Sequence, residues 1–184
     1  FLYSCRGLTT SDLTPMRYIT STGNGFLEYC VGLKSINLSV FTYLTSIGNN
    51  FLDDCTGLTS IVLTPLTSTI KIGNYFLSNC TGLKSIDFTS LSAITSIGDS
   101  FLNSCSGLTS INLTPLTSIN EIGVNFLANC YGLTSINLTP LYRISIIPDY
   151  FLYYCSGLTS VDLSKFTTNI TSIGDGFLQG ISKI

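Results

Sequence analysis

The chain contains no histidine, and its acidic and basic side chains together make up only 10% of 184 residues. Without histidine there is no Ser–His or Cys–His pair to activate a nucleophile, and no imidazole to complete a zinc site with the cysteines. The formal net charge is −2, and the few cations form no cluster able to follow a nucleic-acid backbone. Ordinary domains carry roughly 25% charged residues, so serine, threonine and asparagine must supply the surface polarity here. Such a surface is typical of repetitive β-rich proteins that work outside the cytosol. A run of about 18 apolar residues, the minimum for a membrane-spanning helix, is also missing. No basic start precedes an apolar stretch as in a signal peptide. The chain opens on Phe1 rather than methionine, which reads as a processed product or as one piece of a longer protein.

What the chain does have is a repeat. Phenylalanine stands at Phe1, Phe26, Phe51, Phe76, Phe101, Phe126 and Phe151, each followed by leucine. Four residues after each Phe comes Cys5, Cys30, Cys55, Cys80, Cys105, Cys130 or Cys155, and two further on a glycine. The spacing is 25 until Phe177, which follows Phe151 by 26. The unit reads F-L-x-x-C-x-G-L-T-S-I-x-L-T-P-L-x-x-I-x-x-I-G-x-x. Residues 1–184 therefore form one solenoid of seven repeats and a partial eighth.

Each part of the unit has a physical reading. In F-L-x-x-C the apolar positions share one side of a short helical turn. Asn49, Asn74, Asp99, Asp149 and Asp175 precede it, where a side-chain oxygen caps free N–H groups, and the glycine after the Cys suits a helix C-cap. In Leu108-Thr109-Ser110-Ile111-Asn112-Leu113 the apolar residues alternate with polar ones, the mark of a strand with one buried face. T-P-L then turns the chain, since Pro65, Pro115 and Pro140 cannot extend a ladder. Ile94-Thr95-Ser96-Ile97 reads as a shorter extended piece on the opposite wall. One such coil cannot stand alone, so the array is cooperative.

The strand segment L-x-x-I-x-L and the unit I-G-x-x-F-L-x-x-C-x-G-L-T-S-I-x-L resemble the BspA-like (Treponema-type) leucine-rich repeat. The resemblance covers essentially the whole chain. Phe-Leu stands where that family more often has Ala-Phe, and Thr-Pro follows the strand where Pro alone is usual. The fold it implies is a curved leucine-rich-repeat solenoid with a parallel β-sheet on its concave face. It also implies a surface protein that binds matrix or other cells, by association only.

The cysteines read as a structural ladder of buried thiols. Their number, seven, is odd, no C-x-x-C pair occurs, and Ile181 fills the same slot in the eighth unit, as suits a compact apolar filler. No metal, cofactor or catalytic group is expected. The acidic residues are dispersed; Asp87 and Asp162 share a strand slot three coils apart, too far for a carboxylate pair at about 5 Å.

Two surfaces are candidates for contact. The concave strand face presents Ser85, Asp87, Ser110, Asn112, Ser135 and Asn137, a hydroxyl-rich ladder that suits sugar or ice, or merely a solvated strand face. Asn37, Asn112 and Asn137 there begin N-x-S/T sequons, as do Asn79 and Asn169 elsewhere. The variable slots around F-L-x-x-C instead collect tyrosines. Tyr131, Tyr150, Tyr153 and Tyr154 gather in the last two coils, with Tyr142 and Arg143 on the following turn. Tyrosine favours contact hot spots, although it also shields a turn wall. The end coils differ from the rest: Ser11 and Thr22 replace isoleucine in the first, and the last strand, 158–163, stands at the end of the array. That edge implies a longer native chain or a partner upon it. Pro148 in the usual glycine slot shows that positive φ is not required there.

The expected function is a non-catalytic, surface-displayed or extracellular binding module for a protein or glycoprotein, with neither nucleic acid nor membrane insertion. The alternatives are a rod that self-associates through its open ends and a carbohydrate- or ice-binding ladder.

Overall fold

The computed structural model describes residues 1–64, 66–164 and 169–182. Pro65 and Ile184 thus lie outside the described residues. The chain winds as a solenoid of parallel coils, one per repeat, and three walls enclose the core.

The first wall is the L-T-S-I-x-L segment. It forms β1 (Ser35–Asn37), β3 (Ser60–Val62), β7 (Ser135–Asn137) and β9 (Ser160–Asp162). β1 pairs in parallel with β3 and β7 with β9, always between equivalent positions, as in Ile36 with Ile61. The second wall is the I-x-x-I segment. Its strands have two residues each: β2 (Ser46–Ile47), β4 (Lys71–Ile72), β5 (Ser96–Ile97), β6 (Glu121–Ile122), β8 (Ile146–Ile147) and β10 (Ser172–Ile173). The shorter segment makes the longer sheet: β2, β4, β5 and β6 form four continuous strands, and β8 pairs with β10. The first wall is interrupted at the fourth and fifth coils, where 85–87 and 110–112 are not strand. Phe88 takes the inward slot held by leucine in the other coils, and its ring lies 5.8 Å from that of Phe101. The bulkier side chain coincides with the lost ladder.

Turns join the walls. Thr14–Met16, Thr89–Leu91 and Thr139–Leu141 are single 3-10 turns, the first and last with proline in their opening positions. In six coils the polar residue that closes the L-T-S-I-x-L segment folds back: Asp12, Asn37, Asp87, Asn112, Asn137 and Asp162 accept the backbone N–H two residues on, at 2.9–3.0 Å. These are Asx turns.

The third wall departs from expectation. The F-L-x-x-C segment is a turn but not a helical one. Alternate residues have positive φ: Asn50, Leu52 and Asp54 in one coil, Tyr75, Leu77 and Asn79 in the next. Their N–H groups leave the coil. Asn50 donates to Asn74 O and Asp54 to Ser78 O in the following coil, whereas Leu52 donates backward to Phe26 O at 2.9 Å. A helix this short would leave its first four N–H groups without partners inside the segment, whereas here the neighbouring coils supply them. Left-handed leucine costs about 1–2 kcal/mol, and complete burial of Leu27, Leu52, Leu77, Leu102, Leu127 and Leu152 offsets it.

The glycine after each Cys has a different role from a C-cap as well. Gly82 lacks positive φ, and a Cβ on it would stand 2.7 Å from the Thr56 carbonyl of the coil behind. Close approach of the coils selects it. The core itself is a column of rings: from Phe1 to Phe151, successive phenylalanines stack at 4.9–5.6 Å between centroids.

Candidate functional site

The thiols run beside the ring column. Cys30 to Cys155 are buried and Cys5 is half-buried, all seven with free sulfur. Each thiol from Cys30 onward donates to the carbonyl of the leucine 28 residues earlier, at 3.0–3.2 Å. The carbonyls of Leu27, Leu52, Leu77 and Leu102 also accept the N–H of the cysteine three residues on in their own coil. The slot therefore uses a weak donor as well as a compact volume. Burial pushes the Cys55 and Cys105 thiols up to about 12 and Cys80 well above the ordinary range. The nucleophile and metal ligand is the thiolate, so this environment suits packing rather than chemistry. Among the described residues no group of three metal-ligating side chains forms, and no helix is long and apolar enough to cross a membrane.

A second ladder runs at the corner before each Phe. The N–H of Asn49 donates to Asn24 Oδ1, Asn74 to Asn49, Asp99 to Asn74 and Val124 to Asp99, at 2.9–3.0 Å. These side chains were expected to cap their own turn; they hold the same position in the next coil instead. The glycine just before each makes room, since a Cβ on Gly98 would lie 2.7 Å from the Asn74 nitrogen and closer still to its side-chain oxygen. That slot has no positive φ, in keeping with Pro148. Along this corner a depression of about 280 Å³ opens. Lys71, Ser96 and Glu121, the asparagine-slot residues Asn49, Asn74 and Asp99, and Gly73, Gly98 and Gly123 are among the residues that line it. Sequence reasoning missed it, although the recurring I-G-N/D pattern was its signal.

The strand-face candidates Ser85, Asp87, Ser110, Asn112, Ser135 and Asn137 are all exposed. Their polar groups are partly engaged. Asp87, Asn112 and Asn137 close the Asx turns, and Thr89 binds Asp87 through both its N–H and its hydroxyl, which holds that carboxyl below the usual carboxylate range. On the same wall the hydroxyls of Thr59, Thr134 and Thr159 donate to carbonyls of the coil behind. This face spends much of its hydrogen bonding on the solenoid itself.

The tyrosines separate into groups. Tyr150, Tyr153 and Tyr154 meet edge to face, with centroids 5.1 and 4.5 Å apart. They lie over the next coil, where a Cβ on Gly176 or Gly180 would stand 2.8 Å from a ring of Tyr150 or Tyr154. Tyr131 donates instead to Asn129 Oδ1, and Arg143 stacks on Tyr142, its guanidinium 5.6 Å from the ring centre. The mirror pair Arg17 and Tyr18 occupies the same corner near the other end, at 4.7 Å, with Tyr43 beside it.

One acidic side chain is buried. Asp53 is 5% exposed; its Oδ2 accepts from Asn50, and its Oδ1 has no hydrogen-bond partner. Burial first, then the negative charge of Asp54, pushes its carboxyl up to about 6.

Comparison with known proteins fits this architecture. Among solved structures, the chain is similar to the T. pallidum leucine-rich repeat protein, with 24% identity and a TM-score of 0.66 over 85% of this chain and 67% of that one. A leucine-rich repeat protein from Bacteroides ovatus shares 22% identity with a TM-score of 0.44, over 86% of this chain and 49% of that one. The functional domain of InlJ from Listeria monocytogenes, which includes a cysteine ladder, shares 16% with a TM-score of 0.49, over 91% and 42%. This chain thus spans about two thirds of the first and less than half of the other two. No curated protein matches. The BspA type leucine rich repeat region matches in six copies over residues 2–105 and 71–184, and the chain belongs to that family.

Proposed function

We propose that the chain is a non-catalytic protein-interaction module, displayed at a cell surface, that engages a protein or glycoprotein through the tyrosines of its phenylalanine wall. The observation that carries this reading is backbone strain at exposed aromatic residues. Tyr75, Tyr150 and Tyr154 hold positive φ while more than 40% exposed. Leu27, Leu52, Leu77, Leu102, Leu127 and Leu152, which carry the same strain, are fully buried. Asparagine fills the equivalent slots at Asn50, Asn79, Asn125 and Asn129 and tolerates that conformation better. A bulky residue kept in a strained, exposed position points to a use outside the fold. Tyr150, Tyr153 and Tyr154 form one continuous aromatic surface, with Tyr131, Tyr142 and Arg143 on the same pair of coils as further proposed contacts.

The test compares the native chain with a Tyr150→Asn, Tyr154→Asn double variant on a panel of purified extracellular glycoproteins, by surface plasmon resonance. The variant should be at least as stable and bind a captured glycoprotein at least about tenfold more weakly. Equal binding would remove the tyrosines from the site. Growth of the native chain into oligomers in light scattering, with no glycoprotein bound, would favour the self-associating rod instead.

A further inference from the structure

The junction between the fifth and sixth coils differs from its neighbours on the second wall. β6 pairs only with β5 and β8 only with β10, so among the described residues no ladder joins β6 to β8. Two substitutions in the repeat meet at this point. In the glycine slot, the N–H of Gly73, Gly98, Gly123 and Gly174 donates to an isoleucine carbonyl of the coil behind, at 2.8–3.0 Å. Pro148 occupies that slot in the sixth coil and has no N–H to give to Ile122. In the adjoining slot, Asn49, Asn74, Asp99 and Asp149 each offer Oδ1 to the next coil. Val124 occupies that slot in the fifth coil and offers no acceptor to Asp149. Donor and acceptor are thus removed from two adjacent bonds of one junction, and from no other among the described residues.

Space follows the missing bonds. A cleft of about 220 Å³ opens there, lined by Asn120, Glu121, Ile122, Ser145 and Ile146. No larger side chain wedges it apart, because the inward residues are the usual Ile122 and Ile147. The opposite side remains closed. Leu127 donates to Phe101 O at 3.0 Å, Asn125 to Asp149 O at 3.0 Å and Ser104 to Ala128 O at 2.8 Å, while the Phe101 and Phe126 rings stack at 5.4 Å. On the first wall the strand ladder between 110–112 and 135–137 is also absent, but the Thr134 N–H still reaches Thr109 O.

We infer that this junction is a hinge built into the solenoid, with the phenylalanine wall as its spine and the second wall as its opening side. Coils one to five form one arm, and the coils from the sixth onward, which carry the tyrosine trio, form the other. Bending swings the aromatic surface relative to the long four-stranded sheet. The hinge stands whether or not those tyrosines bind a partner.

Residue-resolved amide exchange on the whole chain tests it. In the native protein, amides of 145–147 and 149 should exchange faster than their counterparts in 70–74, 95–99 and 120–124, several of which donate to the coil behind. Restoring the repeat with Val124→Asn and Pro148→Gly together should slow them at least about tenfold, as expected when a few hydrogen bonds are regained, and should leave 70–74 unchanged. Small-angle scattering should then show a narrower distribution of particle lengths for the double variant. Native exchange at 145–147 already as slow as at 120–122 would overturn the hinge. So would a restored variant with unaltered exchange and scattering.

Discussion

The thiol of Cys55 lies 3.1 Å from the carbonyl oxygen of Leu27 in the preceding coil and donates to it. That contact gives the cysteine slot a purpose beyond its size, and it repeats at five other coils.

Replacing Cys105 with alanine should destabilise the fold by about 1–3 kcal/mol, combining a lost weak hydrogen bond with a small void. Urea unfolding measures this. In the native state a thiol reagent at pH 8 should label Cys5 first and leave Cys55, Cys80 and Cys105 unreacted, because burial holds them as thiols. Prompt labelling of Cys105 in folded protein would contradict the ladder as drawn.

Gly98→Ala places a methyl group against the amide nitrogen and side-chain oxygen of Asn74. The expected cost exceeds about 2 kcal/mol, well above the cost of an ordinary surface substitution. Asn74→Ala removes one of the two obstacles and the bond to Asp99. The double variant should therefore lose less than the sum of the two single losses. Strict additivity in chemical denaturation would show that the pair does not meet.

Much of this was legible in the residues, and the misses share a cause. The 25-residue period, the inward Phe, Leu, Cys and Ile, and the two extended segments follow from the identity of the apolar slots. The F-L-x-x-C turn was misread because Phe, Leu and Cys at offsets zero, one and four match a helical face. A ribbon alternating right- and left-handed residues buries the same three. The distinguishing signal lay in the flanking slots, where Gly25, Asn50, Asn79, Asn125 and Asn129 favour positive φ. The asparagine ladder was hidden for another reason: its partner lies 25 residues away, and local rules look only within the turn. The tyrosine trio is close in sequence and meets in space, whereas Tyr142 and Arg143 pair with each other.

Asp53 makes stability depend on pH. Its carboxyl rises from an ordinary 3.8 to about 6, through burial first and then the charge of Asp54. The folded state therefore holds this proton more tightly than the unfolded chain does. The resulting stabilisation is fully present below about pH 4 and is lost as pH rises through about 6. Below that point the carboxyl is protonated and leaves no charge in the buried site. Asp53→Asn should raise the melting temperature at pH 7.5 and flatten its change between pH 4 and 7. A variant with the native profile would place the titration elsewhere.

The phenylalanine column also bears on how such a chain changes over generations. From Phe1 to Phe151 every coil meets the next through one ring geometry, so recombination between repeats that adds or deletes 25 residues recreates contacts already present. Length is then a freely adjustable trait. A shift of one residue is not: Phe177, displaced to a spacing of 26, meets Phe151 at 61° rather than stacking. A whole added coil keeps the ring stack, and a single inserted residue breaks it.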